Sequence, residues 1–190
     1  MVPRARFVPA EWVERANVDE PIPIPHRLVT TQPSLVAQTV EALTLSDTVC
    51  VLEVGTGLGY QTAILATLAR EVHSIEWWPD LAAQARQNLT HGGIVNAVVV
   101  AGDGTLGFPS RVSYEAIIVS AAAPTVSPAL VAQLAEGGRL VQPIGPGGNE
   151  IVTKFRKRRG QLESEAAVAG ARFVRLIGKL GRGAPRGYVR

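Results

Sequence analysis

Apolar residues between positions 49 and 144 occur alternately in short continuous runs and in sets with helical spacing. Short continuous runs are typical of buried strands, and five are predicted, at 49–54, 72–75, 97–101, 116–119 and 139–144. Helices are predicted between them, at 61–68, 79–89 and 128–134. A chain that alternates in this way folds as a doubly wound α/β structure, a Rossmann-like sheet of mostly parallel strands with helices on both faces.

The two ends of the chain follow other patterns. Residues 1–33 are rich in proline, which prevents a long helix, so we predict an irregular segment with one short helix at 11–15. Apolar residues at helical spacing predict a further helix at 34–43, capped by Ser34. Residues 151–158 and 161–169 alternate loosely around a charged turn, which predicts a C-terminal antiparallel hairpin.

The composition favours a single globular domain. The chain has 190 residues, of which 46% are hydrophobic and 18% charged. A chain of this length and composition can bury a hydrophobic core without crosslinks. Cys50 is the only cysteine and opens an apolar run, so we interpret it as a small buried side chain, and no metal site is predicted. Neither a secretion signal nor a membrane-spanning stretch is recognised, so we expect a cytoplasmic protein without membrane contacts.

Positive charge is concentrated late in the chain. The net charge is +3 and the isoelectric point is about 9.4. The basic residues concerned are Lys154, Arg156, Lys157, Arg158 and Arg159, followed by Arg182, Arg186 and Arg190. Phe155 is the one aromatic residue among the first five, too few for a platform that stacks nucleic-acid bases. We interpret the cluster as a solvated hairpin tip and residues 181–190 as a flexible basic tail, and we expect no nucleic-acid partner.

The stretch 51–60 carries the most specific signal. It reads V-L-E-V-G-T-G-L-G-Y, the end of a strand, a glycine-rich turn and the start of a helix. Glycines let the main chain approach a ligand closely, and a helix start offers free N–H groups. A dinucleotide turn needs a glycine where Tyr60 stands, so NAD is a poor fit. The spacing G-x-G-x-G, with Glu53 two residues before it, instead resembles the cofactor turn of class I methyltransferases.

Two acidic residues follow the next strands. Glu76 ends the second strand, where a carboxylate can accept hydrogen bonds from both hydroxyls of a ribose. Asp103 stands between Gly102 and Gly104 after the third strand, placed to accept a hydrogen bond from an adenine amino group. Each acid alone is equally typical of a turn or a helix cap. Together with the glycine-rich turn they favour a nucleoside-containing ligand.

Ordered matches over residues 2–178 resemble the protein-L-isoaspartate O-methyltransferase family. The matching segments are V-P-R-A-R-F-V-P at 2–9, the glycine turn at 52–60, G-D-G-T-L-G at 102–107, I-I-V-S-A-A-A-P at 117–124, G-G-R-L-V-Q-P-I-G at 137–145 and R-F-V-R-L at 172–176. The resemblance implies an enzyme that uses S-adenosyl-L-methionine and releases S-adenosyl-L-homocysteine. Its substrate would be a protein or peptide with a free carboxylate at an isomerised aspartate, and its cellular role would be protein repair. We expect it to be a monomer or a weak dimer.

The resemblance also implies roles for individual residues. The cofactor-binding residues would be Val29, Thr30, Thr31, Glu53, Gly55, Thr56, Gly57, Gly59, Tyr60, Glu76, Trp77, Asp103 and Gly104. Thr31 aligns with the family's active-site serine and is the candidate catalytic residue. Residues 1–33 would cover substrate and cofactor, and residues 34–180 would form the cofactor-binding methyltransferase domain. Because a carboxylate is already ionised at neutral pH, no strong general base is expected.

The resemblance is weakest over residues 22–33. The family pattern L-P-I-G-x-G-Q-T-x-S-Q-P is replaced by I-P-I-P-H-R-L-V-T-T-Q-P, so Pro25 and Arg27 stand where the family has glycine. Losing two glycines stiffens this loop. Pro25, His26 and Arg27 are therefore candidate substrate-binding residues, since an arginine pairs well with a carboxylate. A second departure is Arg175, which stands where the family has proline.

These departures leave three hypotheses open. The first is a carboxyl O-methyltransferase acting on isoaspartyl residues or on one specialised aspartyl residue. The second is an adaptor that binds S-adenosylmethionine without turnover, and the third is a small-molecule methyltransferase on the same scaffold. A stiffened, arginine-bearing loop favours a narrower substrate than general repair would need.

Overall fold

A seven-stranded sheet forms the centre of the molecule, and a separate two-stranded hairpin lies near the N-terminus. The structure, a computed structural model, describes residues 2–109, 113–146 and 148–181. The strands are β1 (Ile22–Ile24), β2 (Leu28–Thr30), β3 (Cys50–Val54), β4 (Glu71–Glu76), β5 (Ala97–Ala101), β6 (Tyr114–Val119), β7 (Leu134–Ile144), β8 (Glu150–Arg158) and β9 (Gln161–Ala171). The α-helices are α1 (Pro33–Ala42), α2 (Tyr60–Leu68), α3 (Pro79–His91) and α4 (Pro128–Gln133).

The order of strands in the main sheet is β5-β4-β3-β6-β7-β8-β9. Strands β3 to β7 pair in parallel, whereas β8 and β9 are antiparallel to their neighbours. The predicted doubly wound α/β sheet with a C-terminal antiparallel hairpin is confirmed. The chain runs outward from β3 through β4 to β5 and then returns to β6, so the order reverses between β3 and β6. Ligands of open α/β sheets bind at such a point, beyond the carboxyl ends of the strands.

Both faces of the sheet are buried, which explains the continuous apolar runs. Val51 and Ile118 pack toward α1 and α2 on one face. Leu52 and Ile117 pack toward α4 on the other. All five residues of β3 are buried, and Glu53 is the one charged residue among them.

Two predicted boundaries near helix ends were wrong. The helix predicted at 128–134 ends at Gln133, and the strand predicted at 139–144 is β7, which already begins at Leu134. Lys157 donates from Nζ to the carbonyls of Val131 (2.8 Å) and Leu134 (2.7 Å), which satisfies the end of this helix from the neighbouring strand. Ser34 does not cap α1: the helix begins at Pro33, and the Ser34 N–H donates to Asp19 Oδ1 at 2.8 Å.

The N-terminal segment is more ordered than its prolines predicted. Its described part contains three 3₁₀ helices, Arg4–Phe7, Ala10–Arg15 and Pro25–Arg27, of which only the second was expected. Strands β1 and β2 then pair antiparallel, with Ile22 opposite Thr30. We call this unit, Ile22 to Thr30, the covering hairpin. Its pairing leaves only the tip at Pro25–Arg27 without strand structure.

The basic cluster lies on β8 and in the turn after it, and three of its five residues pair with acidic side chains of β9. Lys154 and Arg156 contact Glu165, and Arg158 contacts Glu163 and Glu165. Residues 182–190, which make up nearly all of the predicted tail, lie outside the described residues. Within the described ranges, no helix has the length and apolar character needed to cross a membrane.

Candidate active site

A cleft with about 930 Å³ of empty space, open to solvent, lies at the carboxyl ends of β3, β4 and β6. Its walls are the loop between β3 and α2, the end of β4, the loop after β6, the covering hairpin and residues 174–177. The candidate cofactor-binding residues that line it are Val29, Thr30, Thr31, Gly55, Thr56, Gly57, Tyr60, Glu76, Trp77 and Gly104.

The loop after β3 depends on glycine at two positions. Gly55 has φ 96° and Gly57 has φ 57°, values that side chains with a Cβ rarely adopt. A Cβ on Gly55 would stand 3.3 Å from the Cβ of Ser120 across the cleft. The main chain therefore forms this wall of the cleft without side chains in the way of a ligand.

Glu76 lies buried at the end of β4, with 4% of its surface exposed. Its Oε2 accepts a hydrogen bond from the Gly57 N–H at 2.8 Å, and its Oε1 accepts one from the Trp78 N–H at 3.0 Å. Burial raises the pKa of this carboxyl, and the N–H donors oppose the rise. Each oxygen keeps lone pairs for a further donor, which suits a ligand that presents two hydroxyls.

Glu53 lies beneath the cleft and does not line it, in contrast to the contact role expected for it. Its carboxylate accepts hydrogen bonds from Gln61 Nε2 (2.9 Å), Ser74 Oγ (2.6 Å) and the Thr62 hydroxyl. Burial raises the pKa of Glu53 to about 7, against the effect of these three donors. Gln61 also donates to Ser120 Oγ at 2.9 Å, so Glu53 and Gln61 together join β3 and the start of α2 to the loop after β6.

Two other candidates, Asp103 and Gly59, do not line the cleft. Asp103 Oδ1 accepts from the N–H (2.9 Å) and hydroxyl (2.6 Å) of Thr105, and Oδ2 accepts from the Lys179 N–H at 2.7 Å. It caps a short 3₁₀ helix and ties the C-terminal segment to it. Gly59 begins α2 with φ 93°, and a Cβ there would touch Leu89. The distance from that Cβ to Leu89 Cγ, 3.4 Å, is an ordinary contact, so the positive φ and not the small size is the reason that glycine suits this position.

The candidate substrate residues Pro25, His26 and Arg27 form the exposed tip of the covering hairpin and do not line the cleft. The His26 ring stacks on Trp78, with centroids 3.7 Å apart and planes 5° apart. Its Nε2 lies 2.8 Å from Asp80 Oδ2. His26 therefore fastens the hairpin to the start of α3. His26 (φ 63°) and Arg27 (φ 58°) adopt the left-handed conformation that glycine adopts without strain.

Thr31 lines the cleft, and Arg4 fixes its main chain. Arg4 is 3% exposed and donates to the carbonyl of Thr31 at 3.1 Å and to the hydroxyl of Thr30 at 2.7 Å. It also donates to three carbonyls of the preceding loop, those of Ala16, Val18 and Glu20. Burial lowers the pKa of this guanidinium. Sequence reasoning matched the V-P-R motif without assigning Arg4 this role.

Sequence reasoning also missed two walls of the cleft. Ser120 and Ala121 follow β6, and residues 174–177 pass beside them. The Ala122 N–H donates to the Val174 carbonyl at 2.8 Å, and the Leu176 N–H donates to the Ala122 carbonyl at 2.8 Å. The segments 117–124 and 172–176 both match the family pattern, yet no role was predicted for them. Those matches were the sequence signal for these two walls.

Comparisons with known proteins agree with the motifs. The family model described as Protein-L-isoaspartate(D-aspartate) O-methyltransferase matches residues 1–181. A protein-L-isoaspartate O-methyltransferase of Methanoculleus marisnigri is 44% identical over 180 residues, which are 95% of this chain and 81% of that protein. One of Anaeromyxobacter dehalogenans is 47% identical over 175 residues, which are 91% of this chain and 84% of that protein.

Solved structures support the same assignment. A protein-L-isoaspartate O-methyltransferase structure superposes with a TM-score of 0.81 at 28% identity, covering 95% of this chain but only 60% of that one. A Plasmodium falciparum candidate of the same activity, solved with S-adenosyl-L-homocysteine, has a TM-score of 0.74 at 22% identity and covers 93% of this chain and 86% of its own. The second likeness concerns the fold alone. By sequence and fold together, the chain belongs to the protein-L-isoaspartate(D-aspartate) O-methyltransferase family.

Proposed function

We propose that this protein transfers a methyl group from S-adenosyl-L-methionine to the free carboxylate of an L-isoaspartyl residue in a protein or peptide. The observation that carries the proposal is one cleft shared by a buried carboxylate, a loop of glycines and a hydroxyl. These are Glu76, Gly55 with Gly57, and Thr31. Family membership supports the choice of methyl donor and acceptor.

The chain's own residues fit this donor. Glu76 would accept hydrogen bonds from the two ribose hydroxyls, Trp77 would cover part of the adenine, and the main chain at 55–57 would lie against the ligand. When bound, S-adenosylmethionine supplies a methyl carbon on a sulfonium, so the carboxylate oxygen bonds to that carbon while the carbon–sulfur bond breaks and its electron pair stays on sulfur. Glu53 and Asp103 would act indirectly, by holding loops in place.

The protein's task is then to align two reactants and exclude water. No proton has to move, because the acceptor is already an anion. Alignment of this kind can supply on the order of 7–11 kcal/mol. The Thr31 hydroxyl would orient the acceptor carboxylate, and residues 1–33 would close over both reactants. Arg27, exposed at the tip of the covering hairpin, would meet the incoming peptide.

The cellular role follows from the substrate. We infer repair of damaged proteins in the cytoplasm, by a monomer or weak dimer. The pairing of the basic cluster with Glu163 and Glu165 leaves less positive charge for nucleic acid than the sequence suggested.

The deciding experiment is an assay of base-labile methyl ester on an isoaspartyl peptide and on its normal aspartyl twin. We expect turnover of the isoaspartyl peptide alone, together with S-adenosylhomocysteine binding in calorimetry. Cofactor binding without turnover of either peptide would indicate the adaptor, and turnover of small carboxylic acids alone would indicate the small-molecule enzyme. Absence of cofactor binding would overturn the placement of the site.

Thr31 provides a sharper test. Thr31→Val removes the hydroxyl at almost constant volume and is expected to lower kcat/KM by about tenfold, the effect of one lost hydrogen bond of about 1.4 kcal/mol. Thr31→Ser keeps the hydroxyl and is the matched control. Equal activity of the valine and serine variants would show that the hydroxyl takes no part in the reaction.

A further inference from the structure

A second cleft, which we call the side cleft, lies next to the cofactor cleft. It has about 710 Å³ of empty space and is open to solvent. Its walls are residues 122–125 after β6, Gly145 and Pro146 after β7, and the C-terminal segment. Apart from one arginine, the described residues that line it carry no charge.

That arginine, Arg175, lines both clefts. Its main chain is held in place because its two neighbours, Val174 and Leu176, are hydrogen-bonded to Ala122 on each side. Its side chain is exposed and makes no hydrogen bond or ion pair with any residue that the structure describes. Glu76, at the end of β4, is the one other charged side chain among the described lining residues of the two clefts.

A cation beside a neutral cleft attracts an anion. A peptide substrate offers two kinds of carboxylate, the acceptor of the methyl group and the side chain of an acidic neighbour. The acceptor carboxylate loses its charge as the ester forms. An arginine paired with it would stabilise the reactant more than the transition state and would slow the reaction. A carboxylate that does not react keeps its charge throughout, so its pairing with Arg175 carries no such penalty.

We propose that the side cleft receives the residue next to the isoaspartyl residue of the substrate, and that Arg175 selects an acidic side chain there. This inference rests on the proposed function for the identity of the reacting residue. The sequence departure points the same way, because Arg175 replaces an uncharged proline of the family pattern. The site would thus prefer acidic peptides.

The test uses isoaspartyl peptides that differ only in the residue before or after the isoaspartate, which is Glu, Gln or Lys. Two quantities are measured: the dissociation constant in the presence of S-adenosylhomocysteine, by fluorescence anisotropy, and kcat/KM. We expect the Glu peptide to bind about three- to fivefold more tightly than the Gln peptide, the range of a partly exposed ion pair. Lys should bind more weakly than Gln, and high salt should remove the differences.

Variants locate the effect. Arg175→Gln should abolish the preference, whereas Arg175→Lys should retain it. Arg159→Gln removes the same charge from an exposed turn outside both clefts and should leave the preference intact. If Arg175→Gln does not fold, the wild type and Arg175→Lys still decide the question through the salt dependence.

Three results would overturn the inference: equal affinity of the wild type for the three peptides, a preference unchanged in Arg175→Gln, or a loss of S-adenosylhomocysteine affinity in that variant in place of a loss of peptide preference. The last would assign Arg175 to the cofactor. Failure of the proposed function has a different signature, since the binding preference would then persist while no isoaspartyl peptide is methylated.

Discussion

The loop after β3 and the covering hairpin line the same cleft but are held by different contacts. The loop is fixed from within its own neighbourhood, by glycines with positive φ and by the carboxylate of Glu76 at the next strand end. The hairpin is fixed from far along the chain, by Arg4 at one end and by Trp78 and Asp80 at the other. Local sequence therefore specifies the first, whereas only the assembled fold specifies the second.

The contacts also differ in how much they resist opening. Those of Glu76 are buried, and losing a buried hydrogen bond costs about 1–3 kcal/mol. The contact between His26 and Asp80 is half exposed, with 27% and 61% of the two side chains accessible, so the pair contributes at most about 1 kcal/mol. The tip of the covering hairpin is thus expected to separate from the start of α3 more readily than the loop after β3 separates from Glu76.

The largest effect is expected where the loop is altered. Gly57→Val places a β-branched residue at φ 57°, which costs strain and shifts the N–H that Glu76 binds. We expect S-adenosylhomocysteine to bind about 100-fold more weakly in calorimetry, a loss of about 2.7 kcal/mol. Gly93→Val is the control, because Gly93 also has positive φ (73°) but lies in open space. Equal affinities of the two variants would mean that the loop does not touch the cofactor.

The second largest effect is expected at Arg4, which holds one end of the covering hairpin. Arg4→Met leaves the acceptors on the preceding loop and on Thr30 and Thr31 without their donor, and should lower the free energy of unfolding by roughly 3 kcal/mol. Urea denaturation measures this change. Arg6→Met, in the same 3₁₀ helix but exposed, should change stability by less than about 0.5 kcal/mol. Similar losses of unfolding free energy in both variants would show that the hydrogen bonds of Arg4 do not stabilise the protein.

The smallest effect is expected at the hairpin tip. His26→Ala removes the stack on Trp78, which is worth about 1 kcal/mol, and should speed hydrogen exchange of the β1 and β2 amides about fivefold. A double-mutant cycle with Asp80→Asn would separate the stacking from the ion pair. Unchanged exchange in His26→Ala would place the opening elsewhere in the molecule.

The sequence predicted the region around the loop after β3 better than it predicted the covering hairpin. Strand β3 was predicted to within one residue because both its faces are buried and its run is apolar. The cleft was expected at the strand ends, since glycines and an acid stand there together. The cofactor contact predicted for Asp103 stays a prediction, and nothing in the sequence indicated that its oxygens accept hydrogen bonds from Thr105 and Lys179.

The covering hairpin could not be predicted from the sequence, and the reason is physical. Its strands have three residues each and contain Pro23, so neither alternation nor propensity identifies them. His26 carries no local sign that its partners, Trp78 and Asp80, lie more than fifty positions away. Substrate binding by residues 25–27 stays a prediction. His26 already contacts Trp78 and Asp80.

The passage of residues 174–177 beside Ala122 has a consequence for how the protein is made. A ribosome synthesises the chain from its N-terminus, so the covering hairpin, the glycine loop and the whole main sheet are complete before this last wall is added. A nascent chain that ends at β9 has a finished sheet but a cleft with one side missing. Methyl donor and acceptor therefore meet the complete cleft only after residues 174–177 have been synthesised and have packed beside Ala122.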